Sequence, residues 1–221
     1  MDICVSETMV SKSHLTYLES IIDEVNLTAV EGAIVECGVW KGGCCMWMML
    51  CQKKHGTSRE FFLYDTFDGM TFPGNPNDAA EAQAIFNRIQ EGAYKRPYDS
   101  WHGEKKWAYA PIDFVAANIN KVGYEPSKIQ YVKGDINSTL DSTVPAAISI
   151  LRLDTDWYDS TKKELDVLFP VVSRGGYVVV DDYYAWKGAK VATDEFLSKN
   201  AGAVSIVDKG RTGNIMVLKK L

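Results

Sequence analysis

The sequence predicts an α/β fold in which a mostly parallel sheet of about seven strands carries helices on both faces and ends in an antiparallel hairpin. Short apolar runs alternate with helical stretches along the 221 residues, which is typical of sheets built from β–α–β units. The run at 176–182 is rich in valine, as strands buried on both faces tend to be. The runs at 204–208 and 214–219 flank a short turn with two glycines, which indicates a closing hairpin.

The individual elements follow the hydrophobic periodicity. Predicted strands cover residues 33–39, 61–66, 129–135, 147–155, 176–182, 204–208 and 214–219. Predicted helices cover residues 13–25, 42–55, 111–122, 160–169 and 189–197. The first helix should be capped by Ser13, and the third has Pro111 in its first turn, where proline is tolerated.

A long segment at 67–110 interrupts this alternation. Loops of that length are usually functional or disordered, and disordered segments are poor in aromatic residues. This segment contains Phe72, Trp101 and Trp107 among other aromatics. We therefore expect a substrate-covering insertion with a short helix near 79–89. The alternative is a loop with a purely structural role that packs on its own aromatic side chains.

Length, charge and cysteine content restrict the class of protein. The length fits one domain over 1–221, and a net charge of −5 without a basic run disfavours a nucleic-acid partner. No apolar run is long enough to span a membrane, and no secretory signal is evident. The five cysteines are an odd number, which indicates free thiols in a reducing compartment, the cytoplasm. A homo-oligomer is compatible with the sequence, which does not identify the oligomeric state.

The first strand runs into a glycine-rich turn, ECGVWKGG at 36–43. Glycines at such a turn let a ligand approach the backbone, and the N-terminus of the next helix offers N–H groups to a carboxylate or phosphate. The spacing is not G-x-G-x-x-G, which disfavours a dinucleotide. The same sequence could also form a tight turn without a ligand.

Single carboxylates stand at the ends of the predicted second and third strands. Asp65 could accept both ribose hydroxyls of a nucleoside, and Asp135 could accept the amino group of an adenine. In both cases the alternative is that the acid caps a helix or turn.

Paired carboxylates stand at the ends of the predicted fourth and fifth strands. Asp154 should lie beside Asp181 and Asp182, because the carboxyl ends of neighbouring parallel strands meet at one edge of the sheet. Three clustered carboxylates repel one another unless a cation or protons compensate them, and oxygen ligands suit Mg²⁺ or Mn²⁺. The alternative is that these acids point apart. The three histidines are widely spread, which disfavours zinc.

Taken together, these segments resemble the macrocin O-methyltransferase family. The resemblance rests on ECGVWKGG at 36–43, LYDTFDGM at 63–70, KGD at 133–135, LRLDTDWYDST at 151–161 and GGYVVVDDY at 175–183. Members of this family have a Rossmann-like class I methyltransferase fold. They use S-adenosyl-L-methionine and Mg²⁺ to methylate sugar hydroxyls, many of them on antibiotics.

The resemblance implies roles for particular residues. The cofactor-binding residues would be Glu36, Cys37, Gly38, Val39, Gly43, Cys44, Asp65, Thr66, Gly134, Asp135 and Asp154. Asp154, Asp181 and Asp182 would hold the metal, and Asp156 would be the general base, with metal-bound Asp154 as the alternative base. Cys44 and Cys45 stand where small hydroxyl residues or alanine are expected, yet their backbone N–H groups could still hold the methionine carboxylate.

The acceptor implied by the resemblance is a small molecule or glycan with a sugar hydroxyl. A phenolic or catechol acceptor is the first alternative, but catechol O-methyltransferases have a catalytic lysine where this chain has Trp157. The second alternative is a glycosyltransferase, because Asp154-Thr155-Asp156 also matches the Asp-x-Asp signature. A cofactor-binding module without turnover is the non-enzyme alternative.

Overall fold

The computed structural model describes residues 1–93, 105–210 and 213–221 and confirms the predicted α/β fold. Its seven strands are β1 (Ala33–Cys37), β2 (Phe61–Asp65), β3 (Ile129–Lys133), β4 (Ile148–Leu153), β5 (Val172–Val180), β6 (Val204–Lys209) and β7 (Met216–Lys220). They form one sheet in the order β3-β2-β1-β4-β5-β7-β6. The first five strands pair in parallel, and β7 pairs antiparallel with both β5 and β6, which is the predicted hairpin.

Helices cover both faces of this sheet. They are α1 (Asp2–Val5), α2 (Lys12–Leu27), α3 (Gly43–Lys54), α4 (Ala80–Gln90), α5 (Ile112–Asn120), α6 (Ile136–Thr139), α7 (Tyr158–Leu168) and α8 (Lys187–Lys199). Alternate residues of each strand point to opposite faces. On β1, Ile34 joins a core with α2, α3 and α5, whereas Val35 joins a second core with α7 and α8.

The element boundaries correct several sequence-based predictions. The N-cap of α2 is Ser11, not Ser13, because the Ser11 side chain accepts the His14 N–H at 3.2 Å. Each of the five parallel strands ends one or two residues earlier than predicted, so Asp135, Asp154 and Asp182 lie in the loops that follow the strands. The short helices α1 and α6 were not predicted, since four residues are too few for a helical period to appear.

The insertion contains the expected short helix, α4. Trp101 lies outside the described residues, whereas Trp107 is buried. Within the described ranges, no helix is both long enough and apolar enough to cross a bilayer. All five cysteines are buried and free, as the sequence predicts.

Candidate active site

Two adjoining cavities open at the carboxyl ends of β1, β2, β4 and β5. The first encloses about 740 Å³ and the second about 1070 Å³, each counted with its open mouth. Both are lined by Met9, Trp40, Met70, Asp154 and Asp156, so the two acids lie where the cavities meet.

Asp65 organises the glycine turn at the mouth of the first cavity. Its Oδ2 accepts the N–H groups of Val39 at 2.7 Å and Trp40 at 3.0 Å, and its Oδ1 accepts the N–H of Phe67 at 2.7 Å. Burial raises the pKa of Asp65, and these hydrogen bonds oppose the rise. The Thr66 hydroxyl lies 3.4 Å from Oδ1 but donates its proton to the Gly69 carbonyl at 2.6 Å. A carboxylate can accept about four hydrogen bonds, so Asp65 keeps acceptor capacity for a ligand hydroxyl.

Gly38 lies where the turn after β1 touches the loop after β4. Its φ is +83°, and a Cβ atom there would overlap the carbonyl oxygen of Asp154. The Asp154 N–H donates to the Cys37 carbonyl at 2.8 Å. This close approach requires glycine and fixes the backbone of Asp154 against the turn.

The remaining predicted cofactor residues divide between the cavities and the core. Thr66, Gly134 and Asp135 line the first cavity, and Val39 and Cys44 line the second. Asp135 also caps α6, because its Oδ1 accepts the Asn137 N–H at 2.9 Å. Cys37 and Gly43 are not among the residues that line the two cavities, and Cys37 packs in the core beneath α7 and α8.

The start of α3 packs against the N-terminal segment. The Gly43 N–H donates to the carbonyl of Glu7 at 2.9 Å, and a Cβ on Gly43 would lie 2.5 Å from that same oxygen. The Thr8 hydroxyl lies 3.3 Å from the Cys44 sulfur. The first amide of α3 is therefore occupied by the N-terminal segment and is not available to a methionine carboxylate in this structure.

Glu36 is held inside the protein by two partners. Its Oε1 pairs with the Arg152 guanidinium, and its Oε2 accepts a hydrogen bond from the Cys45 thiol. Burial raises the pKa of Glu36 to about 7, although the charge of Arg152 opposes the rise. Glu36 lines the second cavity, and each of its carboxylate oxygens has a partner within the protein.

Three carboxylates cluster between the cavities. One oxygen each of Asp154, Asp156 and Asp182 lie within 4.8 Å of one another. Burial raises the pKa of Asp182 well above its usual range, and the charges of Asp156 and Asp154 raise it further. Asp182 Oδ2 is buried without a hydrogen-bond partner. Acidic oxygens in such an arrangement are the ligands that a hard divalent cation prefers.

Asp181, which the sequence analysis assigns to the metal site, contacts other residues in the structure. Its Oδ2 accepts a hydrogen bond from Arg152 Nη2 at 2.7 Å, and its Oδ1 lies 3.1 Å from His14 Nε2 without hydrogen-bond alignment. The clustered acids are therefore Asp154, Asp182 and the predicted base Asp156, rather than Asp154, Asp181 and Asp182.

The backbone of Asp156 is unusual. Its φ of +67° lies in the left-handed region, which aspartate adopts more readily than most residues. The preceding Thr155 is anchored on both sides, because its hydroxyl donates to Glu164 at 2.9 Å and its carbonyl accepts the Trp157 N–H at 2.7 Å. This turn allows Asp154 and Asp156 to reach the same cluster.

Sequence reasoning missed Arg152, Glu164 and His14. Arg152 and Glu36 occupy paired positions on β4 and β1, and both are about 1% exposed. A signal was present in the sequence, because opposite charges occur in two apolar strands that were predicted to be buried. No comparable pattern marks His14 or Glu164.

The sheet order, the hairpin and the ligand cavity at the carboxyl ends of the strands are those of a class I methyltransferase. A sequence model described as Macrocin-O-methyltransferase (TylF) matches residues 3–209. The chain therefore belongs to the macrocin O-methyltransferase family, as the sequence resemblance predicts.

Two relatives illustrate the family. The chain is 30% identical over 180 residues to the 8-demethyl-8-(2,3-dimethoxy-alpha-L-rhamnosyl)-tetracenomycin-C 4'-O-methyltransferase of Streptomyces olivaceus, covering 81% of this chain and 63% of that protein. It is 27% identical over 209 residues to the demethyldecarbamoylnovobiocin O-methyltransferase of Streptomyces niveus, covering 94% of this chain and 74% of that protein.

A solved structure shares the same fold. The O-methyltransferase NovP superposes with a TM-score of 0.81 at 26% identity, covering 97% of this chain and 82% of that chain. Like the two sequence relatives, it is an O-methyltransferase.

Proposed function

We propose that this protein uses S-adenosyl-L-methionine and a divalent cation, Mg²⁺ or Mn²⁺, to methylate a sugar hydroxyl of a glycan or glycosylated natural product. The observation that carries the proposal is the cluster of Asp154, Asp156 and Asp182 at the wall shared by two cavities. Family membership supports methyl transfer, and the rhamnosyl group in the name of one relative supports a sugar acceptor.

The first cavity suits the nucleoside part of the cofactor. Asp65 would accept a ribose hydroxyl with its remaining acceptor capacity, and Asp135 would accept the adenine amino group. Gly38, Thr66 and Gly134 supply a close-fitting wall. The methionine part would extend past Val39 and Cys44 toward Asp154. Glu36, Cys37 and Gly43 would contribute through packing. Glu36 is held by partners within the protein, Cys37 lies in the core, and the Gly43 amide is bonded to the N-terminal segment.

The carboxylates fit a hard cation by charge and by donor type. Asp154, Asp156 and Asp182 would hold it, and the unpartnered Asp182 Oδ2 is the kind of buried atom that needs such a partner. Asp181 would serve instead of Asp156 only if it left Arg152. A bound cation of this type lowers the pKa of a hydroxyl oxygen that coordinates it.

The residues of the chain would then complete the transfer. A hydroxyl in the second cavity gives its proton to Asp156 or Asp154, whichever carboxylate is within hydrogen-bond reach. When bound, S-adenosyl-L-methionine would supply the methyl group: the C–O bond would form as the C–S bond breaks, and the C–S electron pair would stay on sulfur to give a neutral thioether. Trp107, Trp186 and Met70 line the second cavity and would exclude water from the reacting groups.

Two alternatives remain distinct from this proposal. The glycine turn and the family assignment favour methyl transfer over the glycosyl transfer that Asp154-Thr155-Asp156 alone would allow. A phenolic acceptor remains the second candidate, and Trp157 at the position of the catechol-type lysine argues against it.

The test is product analysis with a labelled cofactor. The protein, S-adenosyl-L-methionine carrying a labelled methyl group and Mg²⁺ are incubated with glycosides and with their matched aglycones. We expect label on the sugar of at least one glycoside, and none with Asp154→Asn. Asp166→Asn, an exposed acid on α7, is the control and should retain activity. Label on the aglycone would contradict the acceptor class, and failure of S-adenosylhomocysteine to bind would contradict the whole proposal.

A further inference from the structure

Three tryptophans from distant parts of the chain meet beside the carboxylates. The ring centroids of Trp107, Trp157 and Trp186 lie 5.4 to 5.7 Å apart in all three pairs, and every pair packs edge to face. We refer to these residues as the tryptophan cluster. Such packing depends on orientation, so each ring restricts the positions of the other two.

Two members of the cluster belong to the loops that carry the acids. Trp157 directly follows Asp156 and is 4% exposed. The backbone N–H of Trp186 donates to the backbone carbonyl of Asp182 at 2.9 Å. Both rings are therefore attached to the loops that carry carboxylates of the proposed cation site.

The third member belongs to the insertion. Trp107 is 2% exposed, and its carbonyl accepts the N–H of Met70 at 2.9 Å. The indole N–H of Trp157 donates to the carbonyl of Thr71 at 2.9 Å, which gives a second connection between the insertion and the loop that carries Asp156. Trp107 and Trp186 also line the second cavity, whereas Trp157 lines the first.

The left-handed backbone of Asp156 explains why contacts from the tryptophan cluster matter for this loop. A non-glycine residue at φ +67° persists only where its surroundings hold it there. Thr155 fixes one side of this turn through Glu164, and the buried Trp157 ring fixes the other.

We propose that Trp107, Trp157 and Trp186 are positioning residues through which the insertion sets the separation of Asp156 and Asp182. The inference rests on the proposed function, since it gives a role to the cation site. It assigns the insertion a second task besides covering the acceptor.

The test measures metal binding by protein that lacks both cofactor and acceptor. Free Mn²⁺ is followed by its electron paramagnetic resonance signal while protein is titrated in. Trp107→Leu keeps apolar bulk and removes the ring, Trp107→Phe keeps an aromatic edge, and Trp47→Leu is the control because Trp47 packs against α2. Circular dichroism checks folding, and Trp186→Leu replaces Trp107→Leu if the latter does not fold.

We expect Trp107→Leu to weaken Mn²⁺ binding by about tenfold, in the range found for residues that support metal ligands. Trp107→Phe should restore most of the affinity, and Trp47→Leu should bind as the wild type does. Wild-type affinity in folded Trp107→Leu would overturn the inference while leaving the proposed function intact. If the wild-type protein itself bound no Mn²⁺, the cation site and this inference would both be wrong.

Discussion

Arg152 Nη2 lies 2.8 Å from Asp154 Oδ2 and connects the proposed cation site to a buried network of ion pairs. The same guanidinium pairs with Glu36 and with Asp181. Alternation along the strands explains why these side chains meet. Ile34, Ile150 and Val179 belong to one core, and the residues two positions further along their strands, Glu36, Arg152 and Asp181, therefore extend from the same face.

We predict that Arg152→Met destabilises the protein by about 3–5 kcal/mol, because it leaves buried carboxylates without their counter-charge. Glu36 is the most affected, since it is 1% exposed. Denaturant unfolding of the metal-free protein measures the effect. The double variant Arg152→Met with Glu36→Gln should recover part of the loss, because glutamine removes the unpaired charge. Equal stability of the two variants would mean that the unpaired Glu36 charge costs nothing once Arg152 is removed.

The second prediction separates the two aspartates after β5. Asp182→Asn should weaken Mg²⁺ binding strongly, because Asp182 belongs to the carboxylate cluster. Asp181→Asn should weaken it less, because Asp181 lies outside that cluster and its two oxygens face Arg152 and His14. Isothermal titration calorimetry with Mg²⁺ provides the comparison, and each variant serves as the isosteric control for the other. A larger loss in Asp181→Asn would show that Asp181 turns from Arg152 to the cation, as the sequence alone suggests.

The Asp156→Asn variant tests whether Asp156 holds the cation or acts only as the general base. If it holds the cation, Asp156→Asn loses metal affinity together with turnover. If it acts only as the base, the variant keeps metal affinity and loses on the order of 10²–10⁴ in kcat. Measuring Mg²⁺ affinity and kcat on the same preparation distinguishes these roles.

The position of the site was predictable from the sequence because the carboxyl ends of parallel strands converge. Asp65 ends β2, Asp135, Asp154 and Asp182 follow their strands, and all four lie at one edge of the sheet. The direction of each side chain was not predictable. Asp181 and Asp182 are consecutive, so their side chains leave the chain in different directions, and only the surrounding contacts decide which one joins the cluster.

Contacts between distant segments also escaped the sequence analysis. The tryptophan cluster combines residues from the insertion and from two separate loops, and no periodic pattern connects them. The Gly43 amide was expected to be open to a ligand. Its partner, the Glu7 carbonyl, belongs to a segment whose short helix α1 has too few residues to be recognised.

The third prediction concerns the cofactor. Asp65→Ala removes the acceptor of three backbone N–H groups and of a ribose hydroxyl, so S-adenosylhomocysteine should raise the melting temperature less than it does in the wild type. Asp68→Ala is the control from the same loop, because its side chain is 67% exposed. Calorimetry supplies the affinities. Binding by Asp65→Ala equal to that of the control would remove Asp65 from the cofactor site.

The last prediction starts from Glu164, a fully buried acid on α7. Burial raises the pKa of Glu164 to about 8, the hydrogen bond from Thr155 opposes the rise, and the charges of Asp154 and Asp156 add to it. Glu164 therefore keeps its proton in the folded protein at pH values where it is ionised in the unfolded chain, whose reference value is 4.5.

Between pH 4.5 and about 8 the folded state consequently binds more protons at Glu164 than the unfolded state does. Linkage then requires this residue's contribution to stability to fall as the pH rises, by at most about 1.4 kcal/mol per pH unit. Glu164→Gln does not titrate and keeps an oxygen that can accept from Thr155. Its stability relative to the wild type should therefore increase steadily from pH 5 to pH 8. Thermal unfolding in excess chelator, with the exposed Asp166→Asn as control, measures the difference. A stability difference that stayed constant across this range would mean that Glu164 titrates normally in the folded protein.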